Sequence, residues 1–138
     1  MIEIRSATEA DLDEISRIQL ASGQAARWNV AAYLLYECLV AVEQDRIAGF
    51  LAARETAPGE REILNMAVDP PLRRRGVARK LMEHLLASGR GSVFLEVRPS
   101  NVAARKLYHS LGFEAAGVRK YYYGEPEESA IVMKFHSC

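Results

Sequence analysis

The chemically most pointed stretch of the chain is Arg73-Arg74-Arg75-Gly76-Val77-Ala78-Arg79. Guanidinium groups carry fixed charge and several N–H donors, which suits them to phosphate. The first turn of a helix has unpaired backbone N–H groups and a positive dipole end. Small residues at Gly76 and Ala78 leave that backbone open to an anion. The pattern reads as a phosphate-binding helix start; the plainer alternative is a helix start with a solvated basic loop. Its spacing is neither G-x-G-x-x-G nor G-x-x-x-x-G-K-[ST], which disfavours a dinucleotide fingerprint and a nucleoside-triphosphate loop. Two further groups stand out. Glu96 is a carboxylate on a strand otherwise made of Val93, Phe94, Leu95 and Val97. It is either a proton acceptor in apolar surroundings or a strand-end residue paired with Arg98 or another cation. Tyr108 shares a helical stripe with Ala104, Leu107 and Leu111, where a tyrosine ordinarily packs with its hydroxyl at the edge of the core.

The elements that must position these residues alternate between strand and helix patterns. Met1 to Ile4 is a short strand. Thr8 caps a helix, with Asp11 in a capping-box-like position and Leu12, Ile15 and Ile18 at helical spacing, until Gly23 stops the run. Asn29 caps a second short helix through Val30, Leu34 and Leu35. Strands follow at Leu39 to Glu43 and Ile47 to Arg54, joined by a tight turn at Gln44, Asp45 and Arg46. After Pro58 and Gly59 comes a strand from Ile63 to Val68, with Leu64, Met66 and Val68 on one face, ended by Pro70 and Pro71. From Gly76 an amphipathic helix runs through Val77, Ala78, Leu81, Met82, Leu85 and Leu86 to Gly89 and Gly91. Ser92 to Val97 is the next strand, so strand, helix and strand imply a right-handed crossover and a parallel pair. Asn101 caps a third helix that Gly112 closes. Phe113 to Gly117 and Ile131 to Phe135 are further strands, and the whole is mixed α/β.

Composition narrows the function class. The 138 residues fit one domain, 1–138, and 49% are apolar against 26% charged, an ordinary globular balance. Eighteen basic and eighteen acidic residues give zero net charge, which argues against direct nucleic-acid binding while leaving room for a local basic site. The longest apolar stretch, Val30 to Tyr36, is too short to span a bilayer, and the acidic amino terminus does not resemble a signal peptide. A cytoplasmic protein with no membrane association is expected. Cys38 and Cys138 lack a disulfide or zinc pattern, and His84, His109 and His136 lack metal-ligand spacing, so no metal is expected. Cys38 reads as a buried apolar side chain. Trp28 either lines a site or packs into the core. Among Tyr121, Tyr122 and Tyr123 strand alternation turns at least one inward, and Glu125, Glu127 and Glu128 read as a solvated turn.

Arg73-x-x-Gly76-x-Ala78 resembles the [QR]-x-x-G-x-[GA] signature of the GNAT acetyltransferase superfamily, which binds the pyrophosphate of acetyl-coenzyme A. Asn65-Met66-Ala67-Val68-Asp69-Pro70, Leu95-Glu96-Val97-Arg98, Asn101 and Leu107-Tyr108-x-x-Leu111-Gly112-Phe113 follow in the superfamily's order. The likeness covers nearly the whole chain. It is strong from Ile63 to Met133 and weaker from Ala21 to Cys38, the stretch that helps shape the acceptor site in such enzymes. Arg119-Lys120-Tyr121-Tyr122 and Ala130-Ile131-Val132-Met133 make it most similar to the branch that acetylates the amino-terminal alanine of a bacterial ribosomal protein.

The resemblance implies a central mixed, mostly antiparallel sheet, splayed at a parallel pair between the strand ending at Val68 and the strand containing Glu96, and flanked by helices. It implies acetyl-coenzyme A as cosubstrate. The pantetheine arm would pair with the backbone around Met66, Ala67 and Val68. The pyrophosphate would meet Arg73, Arg74, Arg75, Gly76, Val77, Ala78 and Arg79, and Asn101 would touch the cosubstrate as well as cap its helix. Direct attack in a ternary complex would use Glu96 as base, itself or through water, and Tyr108 as the acid protonating the leaving sulfur. Val68 N–H is the expected donor to the carbonyl oxygen. The expected partner is the peptide amino terminus of a ribosomal protein, with the enzyme a monomer or weak dimer. A lysine, another protein terminus or a small amine is the alternative acceptor. A coenzyme A-binding sensor without turnover is the alternative of another class. An α-amine with pKa near 8 is about a tenth neutral at pH 7, so a base matters less for a terminus than for a lysine.

Overall fold

The computed structural model describes residues 1–22, 29–124 and 127–137, with side chains throughout except at 120–124, 127, 128 and 137. The expectations for Gly23, Trp28 and Glu125, and for the side chains of Tyr121, Tyr122 and Tyr123, fall outside it. Strands β1 (Glu3–Ser6), β2 (Glu37–Glu43), β3 (Arg46–Ala57), β4 (Glu60–Val68), β5 (Gly91–Val97), β6 (Glu114–Gly124) and β7 (Glu127–Ser137) form one sheet in the order β1-β2-β3-β4-β5-β7-β6. Every neighbouring pair is antiparallel except β4 and β5. Helices α1 (Leu12–Ala21), α2 (Val77–Ala87) and α3 (Val102–Ser110) flank the sheet. This is the mixed, mostly antiparallel α/β architecture expected.

Local chemistry explains most of the elements. Gln44 and Asp45 both have positive φ, 51° and 60°, the conformation that matches the twist of a two-residue hairpin; Arg46 pairs with Glu43 and belongs to β3. The stripe Val77, Leu81, Met82 and Leu85 on α2 is buried with Val93, Leu95, Val97, Tyr108 and Phe113 on one face of the sheet. On the other face Ile15 and Ile18 of α1 pack with Tyr33, Val40, Phe50, Leu64 and Ala67. Truncating a fully buried residue such as Leu81 is worth about 2–5 kcal/mol.

Four expectations are corrected. The second helix is a 3₁₀ segment, Val30–Leu35, capped by Asn29, whose Oδ1 accepts from Ala31 N at 3.2 Å. Six residues are too few to offset α-helix nucleation. Strand β6 begins at Glu114 and runs to Gly124, while Phe113 is buried in the turn before it. Glu127 and Glu128 lie on β7, paired with Gly124 and Tyr123, rather than in a turn. As an edge strand, exposed throughout 114–119, β6 gives the sequence no apolar alternation to read.

The fourth correction concerns β4. Ala52 pairs with Asn65 but Ala53 pairs with Ile63, so Leu64 is an extra residue, a β-bulge. Leu64 therefore joins the α1-side core, while Ile63, Met66 and Val68 pack toward α2. Leu64, Met66 and Val68 do not share a face, because one inserted residue flips the alternation. The bulge lies where β4 leaves β5. Their parallel pairing covers only Glu60–Ser92, Arg61–Val93 and Glu62–Phe94, and both strands run on unpaired with each other to Val68 and Val97.

Candidate active site

The parting of β4 and β5 opens a cleft of about 550 Å³. Its walls are Met66, Ala67 and Val68 of β4, the turn at Arg73, Arg74 and Gly76, the first residues of α2 at Val77, Ala78 and Arg79, and Asn101, Ala103, Ala104, Leu107 and Tyr108 around α3, with Ser22 at the end of α1. Ten of the expected cosubstrate-binding residues thus meet around one space: Met66, Ala67, Val68, Arg73, Arg74, Gly76, Val77, Ala78, Arg79 and Asn101. Arg75 is the exception. Its guanidinium Nη1 donates to Glu43 Oε1 at 2.9 Å, which turns it away toward β2.

The turn before α2 is built for close approach. Proline at 70 and 71 ends β4 and starts a short 3₁₀ turn, Pro70–Leu72. Arg74 and Gly76 then both take left-handed conformations, φ 66° and 79°. For an arginine this is a strained state, of the kind that concentrates at ligand clamps. The first intrahelical bond of α2 is Lys80 N to Gly76 O at 3.0 Å, so the amides of Val77, Ala78 and Arg79 face outward at the positive end of the helix dipole. Among the described residues neither Arg73 nor Arg74 has a carboxylate partner, whereas Arg79 Nη2 donates to Ser110 Oγ at 2.6 Å and links α2 to α3. Gly49 on β3 lets this helix start sit close: a Cβ there would lie 2.8 Å from the Ala67 carbonyl oxygen and 3.0 Å from Val77 Cγ1.

The backbone of β4 has a definite polarity. Asp69 N donates to Ala48 O at 2.8 Å, so Asp69 faces β3. Alternation then directs the N–H and C=O of Val68 and Met66 away from β3, into the parting. Met66 N–H is occupied by Asn65 Oδ1 at 3.0 Å, leaving Val68 N–H as the donor directed into the cleft. Asn65 is itself fixed, its Nδ2 donating to Gln19 Oε1 at 3.0 Å and to the Tyr33 hydroxyl at 3.2 Å, while Tyr33 donates to Gln19 Oε1 at 2.5 Å. Burial pushes the Tyr33 phenol up to about 12, which keeps it a neutral donor. Asp69, buried, accepts from Arg17 at 2.9 Å and lies 3.7 Å from Arg46, which ties α1 to the end of β4; the hydrogen bond to Asp69 raises Arg17 beyond its ordinary value.

Tyr108 is buried on α3 against Phe113, ring centroids 5.9 Å apart, and still lines the cleft. Asn101 caps α3, its Oδ1 accepting from Ala104 N at 3.3 Å, and also faces the cleft. Glu96 does not line the cleft. Val93, Leu95 and Val97 of β5 face α2 and α3, so Glu96 projects from the opposite face of the sheet, where Arg119 Nη1 lies 3.3 Å from its Oε1. The two candidate proton carriers therefore approach the parting from opposite faces. Cys38 is buried, and desolvation pushes its thiol up to about 12, which leaves it protonated and unreactive. Sequence reasoning missed Ser22, Gln19, Tyr33 and the Arg17–Asp69 pair. The one local signal was Asn65, an amide inside an apolar strand.

Residues 6–113 match the model of the acetyltransferase (GNAT) family. The chain is similar to a ribosomal protein bS18-alanine N-acetyltransferase of Salmonella typhimurium, 44% identical over 95 residues, a stretch that spans 64% of this chain and 64% of that protein. It is similar over a longer span to the enzyme of the same name from Haemophilus ducreyi, 34% identical across 96% of this chain and 99% of that one. The crystal structure of the ribosomal-protein-S18-alanine N-acetyltransferase from Escherichia coli superimposes with a TM-score of 0.87 at 32% identity, over 98% of this chain and 93% of that one. A splayed sheet, a helix start with open amides beside two arginines and a family match over most of the sequence agree, and the chain belongs to the acetyltransferase (GNAT) family.

Proposed function

We propose that the protein transfers acetyl from acetyl-coenzyme A to the amino-terminal alanine of a ribosomal protein, by direct attack in a ternary complex. The observation that carries this reading is the cleft between β4 and β5, which has an anion-binding turn at one end and a main-chain donor, Val68 N–H, part-way along it. The names of the Salmonella, Haemophilus and Escherichia relatives support the acceptor. Arg73, Arg74 and the amides of Val77, Ala78 and Arg79 hold the pyrophosphate. The C=O of Met66 and the N–H of Val68 align the pantetheine end. Arg75 takes no part beyond its bond to Glu43.

The chemistry assigns one role to each remaining group. The amine nitrogen bonds to the acetyl carbonyl carbon, the carbon–sulfur bond breaks, and negative charge builds on oxygen as it does. Val68 N–H donates to that oxygen. Glu96, reached from the α1 face, takes the proton the amine gives up, and the acceptor's nitrogen displaces Arg119 from its side. Tyr108, from the α2–α3 face, gives a proton to the departing sulfur. A cytoplasmic site of action follows from the acceptor. Incubating the enzyme with acetyl-coenzyme A and peptides carrying the amino termini of ribosomal proteins tests all of this by mass spectrometry. The expected result is one acetyl group on an α-amine of an alanine-first peptide. Modification confined to lysine side chains transfers the chemistry to another acceptor, and slow thiol release that ignores added amine supports a sensor.

A further inference from the structure

Arg75 is the member of the Arg73–Arg75 run that the cleft does not use. Its guanidinium Nη1 donates to Glu43 Oε1 at 2.9 Å, and the Glu43 side chain is only 18% exposed. Glu43 ends β2 and pairs across the two-residue hairpin with Arg46, the first residue of β3. Arg46 Nη2 in turn lies 3.7 Å from Oδ2 of Asp69, which is buried directly after β4. The base of one hairpin therefore grips the segment between β4 and α2 at both ends, at Asp69 where it leaves the sheet and at Arg75 where it enters the helix. Leu72 packs against the core between them. Beyond Leu72 the backbone is left-handed at Arg74, which for an arginine is strained. Strain of this kind persists where the surroundings over-determine it. Among the described residues, Arg75 to Glu43 is the side-chain bond made from within this strained run.

We infer that Glu43 is a positioning residue for the cosubstrate: through Arg75 it holds the turn from Arg73 to Gly76 in the shape that presents Arg73, Arg74 and the first amides of α2 to the diphosphate. This rests on the placing of the pyrophosphate proposed above. The groups that meet the diphosphate come from one run of sequence, whereas what fixes that run comes from 32 residues away. Arg75 has the same chemistry as its two neighbours, and an arginine left free beside a diphosphate would bind it. A mostly buried carboxylate on a strand end keeps it out of the cleft and uses it as a tether instead. The pair is exposed on its arginine side, so it biases the turn by no more than its own modest worth. That bounds the effect on binding to about fivefold.

Binding of coenzyme A and of pantetheine, which lacks the diphosphate, separates positioning from a general structural role. Glu43→Ala is expected to raise Kd for coenzyme A about two- to fivefold, as read by calorimetry, and to leave Kd for pantetheine at the wild-type value. Glu43→Gln, which keeps an acceptor oxygen for the guanidinium, falls between wild type and Glu43→Ala. In an Arg75→Ala background Glu43→Ala has no further effect, because the two residues act as one unit. An equal rise in Kd for both ligands overturns the inference by making Glu43 structural, and an unchanged Kd for coenzyme A leaves the pair idle. Tighter binding of coenzyme A on Glu43→Ala overturns it in the other direction, since Arg75 then reaches the diphosphate once released. A full effect of Glu43→Ala without Arg75 shows that the carboxylate does not act through the arginine. Failure of the reading beneath it is visible separately, as an enzyme carrying both Arg73→Ala and Arg74→Ala that binds coenzyme A as tightly as wild type.

Discussion

On the α2 side of the cleft, the groups proposed to hold the pyrophosphate, Arg73, Arg74 and the amides of Val77, Ala78 and Arg79, lie within one run of sequence. On the α1 side, the strand is held by side chains far apart in sequence. Asn65 bonds Gln19 across 46 residues and Tyr33 across 32, and Arg17 bonds Asp69 across 52. The first side is a local device: two prolines, two left-handed residues and an open helix end. The second is a tertiary device that fixes the bulged strand. The difference suits their tasks. A phosphate is the same in every cosubstrate molecule and can be read by backbone amides. An acceptor must be told from other amines, and that takes side chains brought in from elsewhere.

The largest effect expected is on the acceptor side. Glu96→Gln lowers turnover by about 10²- to 10⁴-fold, and the loss is greatest at low pH, where few amines are already neutral. Tyr108→Phe, on the cosubstrate side, keeps acetyl-coenzyme A binding and costs less, about tenfold, since a thiol with pKa near 8.5 leaves fairly well unaided. Initial rates across a pH series measure both, and a Glu96→Gln profile parallel to wild type removes that residue as base. Next comes a pair of stability measurements by urea denaturation. Asn65→Ala strips a partner from Met66 N–H, Gln19 and Tyr33 at once and is expected to destabilise by about 2–3 kcal/mol. Gly76→Ala costs only about 1 kcal/mol, because the space around Gly76 is open and the left-handed backbone is the sole objection. Equal losses would erase the contrast between a tertiary and a local device.

The smallest effect concerns the entry to α1. A hydrogen bond from the Arg5 guanidinium, helped by Thr8 N–H, brings the Asp11 carboxyl from its ordinary 3.8 down to about 2. A carboxyl depressed in the folded state stabilises fully above its unfolded pKa and loses that contribution as pH falls toward the folded value. The window is therefore about pH 4 to about pH 2. Arg5 is well exposed, so the contribution is on the order of 1 kcal/mol. Asp11→Asn should flatten stability across that window, as read by denaturation at fixed pH; an acid limb unchanged from wild type would show the pair to be idle.

The legible parts of the molecule are those whose cause is local. Gly76 with its arginines, the buried stripe of α2, the Asn101 cap and the hairpin after Glu43 each show in a few consecutive residues. The misreadings have a common origin. Period two, the only rule a strand offers, groups Leu64 with Met66 and Val68, whereas a bulge is set by the register of the partner strand. Arg75 looked equivalent to Arg73 and Arg74 until Glu43, 32 residues away, claimed it. Ser22 carried no signal at all, since burial without a partner is a property of surroundings.

By itself, the order of residues determined that a helix would begin at Gly76 with free amides and positive charge before it, and that strands would stand on either side of that helix. Those outcomes depend on dihedral preference and on hydrogen bonds between near neighbours. Only the folded chain decided where β4 parts from β5, that Val68 and not Met66 offers its N–H, and that Glu96 and Tyr108 lie on opposite faces of the sheet. Each of these depends on which distant group arrives first to satisfy a donor or fill a face, and a linear sequence does not record distance in space.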